Sequence, residues 1–144
     1  MKKVYIFTLI LTLTALSSCT TSYNDFEEDR GSTIGFTLGA TLELPVSSSN
    51  PIVDFPIPCF VTSVSNIDRT FEVIVIEDET EVTPENYSFN AMVTIPANQR
   101  KGFLYFTAMN VSLTSDFQPL IIAFKSDDNT VSGKRASIAL RSNN

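Results

Sequence analysis

Beyond residue 32 the chain alternates apolar and polar positions with a period of two, the signature of a half-buried strand. Ile34, Phe36 and Leu38 are separated by Gly35 and Thr37. Val53, Phe55, Ile57, Cys59 and Val61 recur at every second position, with Asp54, Pro56 and Pro58 between them. Proline has no N–H to give a ladder, so this second run is predicted to be an edge strand with a break. Residues 71–76 form a β-branched strand run, and 87–89 and 91–95 are short strands ahead of a Pro96-Ala97-Asn98-Gln99 turn. Residues 102–109 are continuously apolar, which predicts a central strand covered on both faces; 120–124 reads alike. Residues 136–140 make a last strand after a turn at Asp127-Asp128-Asn129. No stretch has a convincing helical period, and 110–117 is predicted to be a turn-like connection. About seven strands at turn-punctuated spacing predict an all-β chain with one antiparallel β-sandwich over residues 33–144. No tandem repeat of fixed period is present, so this is one unit.

The first residues have another pattern. Lys2 and Lys3 precede a thirteen-residue apolar run, 4–16, followed by Leu16-Ser17-Ser18-Cys19. A positive end, a short apolar core and small residues make a secretory signal, here residues 1–18. The run falls short of the roughly 20 residues a bilayer span needs. Leu three residues before a cysteine, with small residues between, resembles the lipobox of bacterial lipoproteins. That resemblance implies a diacylglyceryl group on the Cys19 sulfur, cleavage before Cys19 and N-acylation. Several acyl chains on one residue anchor stably where one is marginal. Residues 19–32 then read as the lipidated cysteine and a flexible tether, polar first and acidic from Asp25, with no apolar period. Thr20 replaces the aspartate that resembles an inner-membrane retention signal, which implies the outer membrane. The acidic residues resemble the surface-export signal of Bacteroidetes-type lipoproteins, which implies the cell surface.

Removing residues 1–18 leaves eight basic and sixteen acidic residues, a net charge of −8. Such a domain repels phosphate backbones, so no nucleic-acid partner is expected. It also repels an anionic bilayer, which leaves the lipid on Cys19 to hold the membrane. The chain has no histidine, which removes Ser-His-Asp and Cys-His catalysis and histidine metal sites. Five scattered glycines form no phosphate loop. With Cys19 lipidated, Cys59 has no disulfide partner. It lies in the apolar segment 57–61, with Arg69 the nearest basic residue in sequence, and is predicted to be a buried small hydrophobe.

The densest acidic cluster is Glu77, Asp78, Glu79 and Glu81, with Glu85 beyond. Hard cations take six to eight oxygens, so these four carboxylates are the candidate calcium site, and Asp127-Asp128-Asn129 adds ligands if it lies at the same end. The spaced pattern of a calcium loop is missing. A pair of carboxylates is also the equipment of a glycosidase. A solvated acidic loop is the plain alternative to both. Sugar stacking would fall to Tyr23, Tyr87 or Tyr105, as there is no tryptophan.

One stretch has a recognisable order. A strand run from Arg69 to Val75 is followed by an acidic loop, Pro84-Glu85-Asn86-Tyr87, then Val93-Thr94-Ile95-Pro96-Ala97-Asn98-Gln99, a strand to Met109 and a late strand from Phe117 to Phe124. Over roughly residues 65–142 this resembles the Calx-beta-like domains of Bacteroidetes-type surface lipoproteins. It departs twice: Asn86 stands where aspartate is usual, and Asn98 where glycine is usual. Asparagine tolerates the left-handed backbone, so the turn can form. Loss of the charge at Asn86 weakens any carry-over of calcium binding. The resemblance implies an immunoglobulin-like sandwich with Tyr87 packed in its core. The resulting expectation is a non-enzymatic, lipid-anchored envelope module, serving an outer-membrane complex for nutrient uptake or adhesion through the proline-bearing edge. The alternatives are a calcium-stabilised spacer, a glycan-binding module, a fimbrial-type subunit assembling by strand addition, and a carboxylate-based glycan enzyme.

Overall fold

A computed structural model describes residues 31–144. The signal, Cys19 and all of the tether up to Arg30 lie outside the described residues. Ten strands follow in order: β1 Ser32–Phe36, β2 Leu42–Val46, β3 Ile52–Val61, β4 Arg69–Val75, β5 Tyr87–Phe89, β6 Met92–Ile95, β7 Lys101–Ala108, β8 Gln118–Phe124, β9 Thr130–Ser132 and β10 Ala136–Ser142. They form two five-stranded sheets, ordered β5-β7-β3-β1-β9 and β2-β10-β8-β4-β6, that face one another as an immunoglobulin-like sandwich. The chain enters in the first sheet and crosses to the second between β1 and β2. This crossing creates two parallel pairings, β1 with β9 and β2 with β10, in an otherwise antiparallel fold. Ser32, assigned to the tether by composition, already pairs with Thr130 in β1.

Alternation decides the core. Ile57, Cys59 and Val61 of β3 and Leu104, Phe106 and Ala108 of β7 point inward from the first sheet. Phe71 and Val73 of β4, Leu120, Ile122 and Phe124 of β8, and Ile138 and Leu140 of β10 meet them from the second. Phe124 joins the layers: its ring stacks on Phe36 at 4.6 Å between centroids and meets Phe71 edge-on at 6.3 Å. Each such side chain contributes about 1.5–3 kcal/mol relative to exposure, which is how a domain without a disulfide holds together.

Three expectations are corrected. The proline-bearing strand is interior: β3 lies between β1 and β7. In an antiparallel strand each residue turns its N–H and C=O to the same side. The Pro58 carbonyl accepts from the Thr37 amide at 2.9 Å, while Val61 donates to Arg100 on the opposite side. Pro56 and Pro58 therefore turn their missing donors toward β1, and β1 ends at Phe36, just before they would be needed. The rule against proline in a ladder holds, but it marks the end of a neighbour and not the edge of a sheet. Secondly, Val53 faces outward. The pairing of β3 with β7 steps from Ile52↔Ala108 to Phe55↔Phe106, leaving one extra residue in β3. Asp54 takes φ 52 in that bulge, and the flip brings Ile52 against the core in Val53's place. Thirdly, β7 is central but covered on one face only.

Strand β2 alternates Leu42, Leu44 and Val46 around Glu43 and Pro45, a short run in which the proline masks the strand signal, and β9 is only three residues long. Asn98 adopts φ 61, the left-handed conformation that its place in the turn requires.

Candidate functional site

The burial of β7 alternates strictly from Lys101 to Phe106, so Phe103 and Tyr105 stand on the outer face of the first sheet. They are 50% and 58% exposed. Across the ladder Phe103 lies opposite Pro58, Tyr105 opposite Pro56, and Phe60 opposite Lys101. Directly opposed side chains in a sheet come within about 5 Å, and alternate residues along a strand are about 7 Å apart. The result is a strip of two half-exposed rings and two prolines on the middle strands of a sheet, continued by the more buried ring of Phe60. Beside Tyr105 the strip is rimmed by Thr107, which pairs with Ser88 of β5. Because 102–109 is apolar in both registers, the sequence suggested a second cover; among the described residues nothing covers this face. Tyr105 was legible as a tyrosine in an apolar strand, but its direction depends on the pairing phase.

The acidic cluster takes another form. Glu77–Glu79 is a single 3-10 turn past the end of β4, and Pro84–Asn86 is a second. Arg135 forms an ion pair with Glu79. Among the described residues no three acidic side chains converge as a metal cradle. The Asp127-Asp128-Asn129 turn sits toward the other end of β4: Lys125, just before it, pairs with Glu72 at 2.8 Å. Glu72 and Glu77 are five positions apart on extended backbone, about 17 Å, so the two acidic segments do not share a site. Glu77 and Glu81 border a cleft of about 370 Å³ with Val75, Pro84 and Tyr87. The Tyr87 ring lies parallel to Phe89 and Phe106, at 6.1 and 6.3 Å between centroids. Desolvation, and then the charge of Glu77, push its hydroxyl pKa upward. A ligand that binds only the folded state raises its unfolding midpoint. Thermal unfolding is expected to give coincident curves in millimolar calcium and in chelator; an upward shift with calcium would establish a site in this loop.

Asn86 is 1% exposed and closes a polar network that the sequence registered only as a departure from a motif. Its Oδ1 accepts from the amides of Val111 and Ser112 at 2.9 and 3.0 Å. Its Nδ2 donates to the hydroxyls of Thr83 and Ser112 at 2.8 and 2.9 Å. Those hydroxyls each donate to the Glu85 carboxylate at 2.7 Å. They hold the Glu85 pKa below the ordinary carboxylate value, Thr83 contributing most. An amide suits this position because it both donates and accepts. An aspartate would compete with Glu85 for the same two hydroxyls. The network is structural: it ties the loop before β5 to the loop after β7.

Cys59 points into the core opposite Gly102 and is 1% exposed. Burial pushes its thiol pKa up to about 11, against a small lowering by a backbone hydrogen bond from Gly102. The thiolate is the reactive form, so maleimide labelling of Cys59 is expected only after denaturation. Stoichiometric labelling of the folded domain would contradict this placement.

No family model matches the chain, and no curated protein does. Solved structures do share its fold. A protein of unknown function from Bacteroides ovatus superposes with a TM-score of 0.60 at 15% identity, over 76% of this chain and 44% of that one. A second Bacteroides ovatus chain of unknown function gives 0.56 at 16% identity, over 76% and 46%. A multidomain protein including DUF1735, also from Bacteroides ovatus, gives 0.56 at 16%, over 76% and 45%. The chain thus spans less than half the length of these structures, and at this identity the likeness is one of fold.

Proposed function

We propose that this chain is a non-enzymatic, lipid-anchored module of the bacterial outer membrane, displayed at the cell surface, that holds a ligand or partner on the open face of its first sheet. The observation that carries the reading is the strip formed by Pro56, Pro58, Phe103 and Tyr105 on central strands. A sheet face spends apolar residues on solvent when something docks there. The anchor is supported by the lipobox-like segment ending at Cys19, and delivery to the outer membrane by Thr20. The net charge of −8 gives the mature chain no electrostatic hold on an anionic bilayer, so attachment falls to the lipid. The absence of histidine in the whole chain supports a binding role over acid–base chemistry near neutral pH. The similar solved structures come from Bacteroides ovatus, in keeping with the Bacteroidetes-type features of the N-terminal segment. Service within a larger uptake or adhesion assembly suits a small domain of this kind.

The test is cross-linking in intact cells, followed by mass spectrometry of the recovered protein and its N-terminal peptide. The expected result is acylated Cys19 at the N-terminus and an envelope component whose recovery falls when Phe103 and Tyr105 are replaced together by serine. Cys19→Ser is expected to release the protein from the membrane fraction. An unmodified Cys19, or recovery indifferent to both rings, would overturn the anchor or the binding face respectively.

A further inference from the structure

Resting on that reading of the open face, we infer that the strip is a stacking platform for an uncharged carbohydrate chain. Size comes first. An aromatic side chain carries about 150–250 Å², so two rings half exposed present about 200 Å² together. Pro56, Pro58 and the more buried Phe60 lengthen this area, yet the strip stays narrow, a fraction of the roughly 800 Å² of polar and apolar surface that each partner of a stable protein interface buries. Such a strip suits a slender ligand better than a second copy of the domain.

Backbone recognition is closed as well. An extended peptide gains its hold by adding to a free sheet edge. Here β7 is already paired with β5 and β3, and β3 with β7 and β1. The ligand must use side-chain faces alone, on a strip beside a hollow of about 210 Å³ lined by Pro58, Phe60, Lys101 and Phe103.

Chemistry then selects the class. Ring faces carry the negative side of the aromatic quadrupole, and they attract polarised C–H groups. A pyranose ring presents such C–H groups on one face and hydroxyls around its rim. The strip offers the matching arrangement: neutral rings in the middle, with Thr107 beside Tyr105 and the Lys101 ammonium beyond Phe103 at the other end. No carboxylate or ammonium belongs to the four stacking residues, and the acidic domain repels anionic polymers, so the chain it takes is neutral.

The experiment is native affinity electrophoresis of the full-length protein, in a detergent without sugar headgroups, through gels containing starch, xylan, mannan or laminarin. At least one of these is expected to retard the wild type. Tyr105→Leu, which keeps an apolar strand former and removes the π face, is expected to weaken retardation about tenfold. The double change F103S/Y105S is expected to abolish it while the domain still unfolds in one cooperative transition at a somewhat lower midpoint, because both rings are half exposed and lie outside the core. Wild type that none of the four retards, or a double variant retarded as strongly, overturns the carbohydrate assignment. If retardation is absent and the double variant still loses its cross-linked envelope component in cells, the open face stands as a protein-binding face. If neither changes, both the occupant and the face are wrong.

Discussion

Replacing Gly35 with alanine is expected to destabilise the domain by about 3 kcal/mol, combining backbone overpacking with lost hydrogen bonds. A Cβ at this position would stand 2.6 Å from the Lys134 amide nitrogen and 3.2 Å from both the Gly133 carbonyl carbon and the Lys134 oxygen. All three are backbone atoms, so no side-chain rotation relieves the contact. The segment is also pinned, because Gly133 donates to the Ile34 carbonyl at 2.6 Å and Phe36 donates to the Lys134 carbonyl at 2.8 Å. Moving it away from β1 breaks the bonds by which the connection from β9 to β10 holds the first strand. For a domain of this size the shift in midpoint is roughly 10 °C or more. Gly39→Ala is the control: a Cβ there meets nothing within 4 Å, and a change within about 0.5 kcal/mol is expected. Circular dichroism melts of the two variants decide the matter. Equal midpoints would mean that residues 133–134 yield freely and that the close approach is dispensable.

Asn86→Ala is expected to have a similar effect, about 3 kcal/mol, for a different reason. The truncation strips the amides of Val111 and Ser112 of their acceptor and leaves two hydroxyls without a donor. Buried donors without partners cost about 1–3 kcal/mol each, and members of one network do not fail independently. Denaturant unfolding should report a lower midpoint at unchanged slope, since the exposed surface on unfolding hardly changes. A loss under about 0.5 kcal/mol, the range of ordinary surface changes, would mean that water replaces the amide. The same network has a pH signature. The Glu85 pKa is lowered in the fold, so its contribution is present above the ordinary carboxylate range. It is lost as pH falls through the lowered folded value. In Asn86→Asp the new carboxylate draws the Thr83 and Ser112 hydroxyls from Glu85. The Glu85 titration, followed by NMR, is then expected to move up.

Much of the strand plan was legible because burial on one face imposes a period of two. Residues 87–89 were read with the bounds the structure has, and the runs at 71–76, 120–124 and 136–140 were placed within a few residues. The left-handed turn at Asn98 was legible too, since its requirement is local. The errors share a cause. Proline in β3 spoke correctly about a missing donor, but which neighbour lacked the donor was a matter of where β1 stops. Val53 was phased with Phe55 because a bulge at Asp54 leaves no mark on apolar periodicity. The whole of 102–109 looked doubly covered because composition does not reveal whether a second layer exists.

By itself, then, the sequence determined the all-β character, the turns, the likeness of residues 1–19 to a lipoprotein signal, and the absence of histidine chemistry. These depend on residue type and on near neighbours, which one chain states directly. Only the tertiary structure decided what the face of β7 looks out on, that Asn86 fastens two loops 25 residues apart in sequence, and that the acidic segments at 77–81 and 127–128 are separate. Each of those turns on which strands are neighbours, and neighbour relations are set by packing the whole sandwich rather than by any one segment.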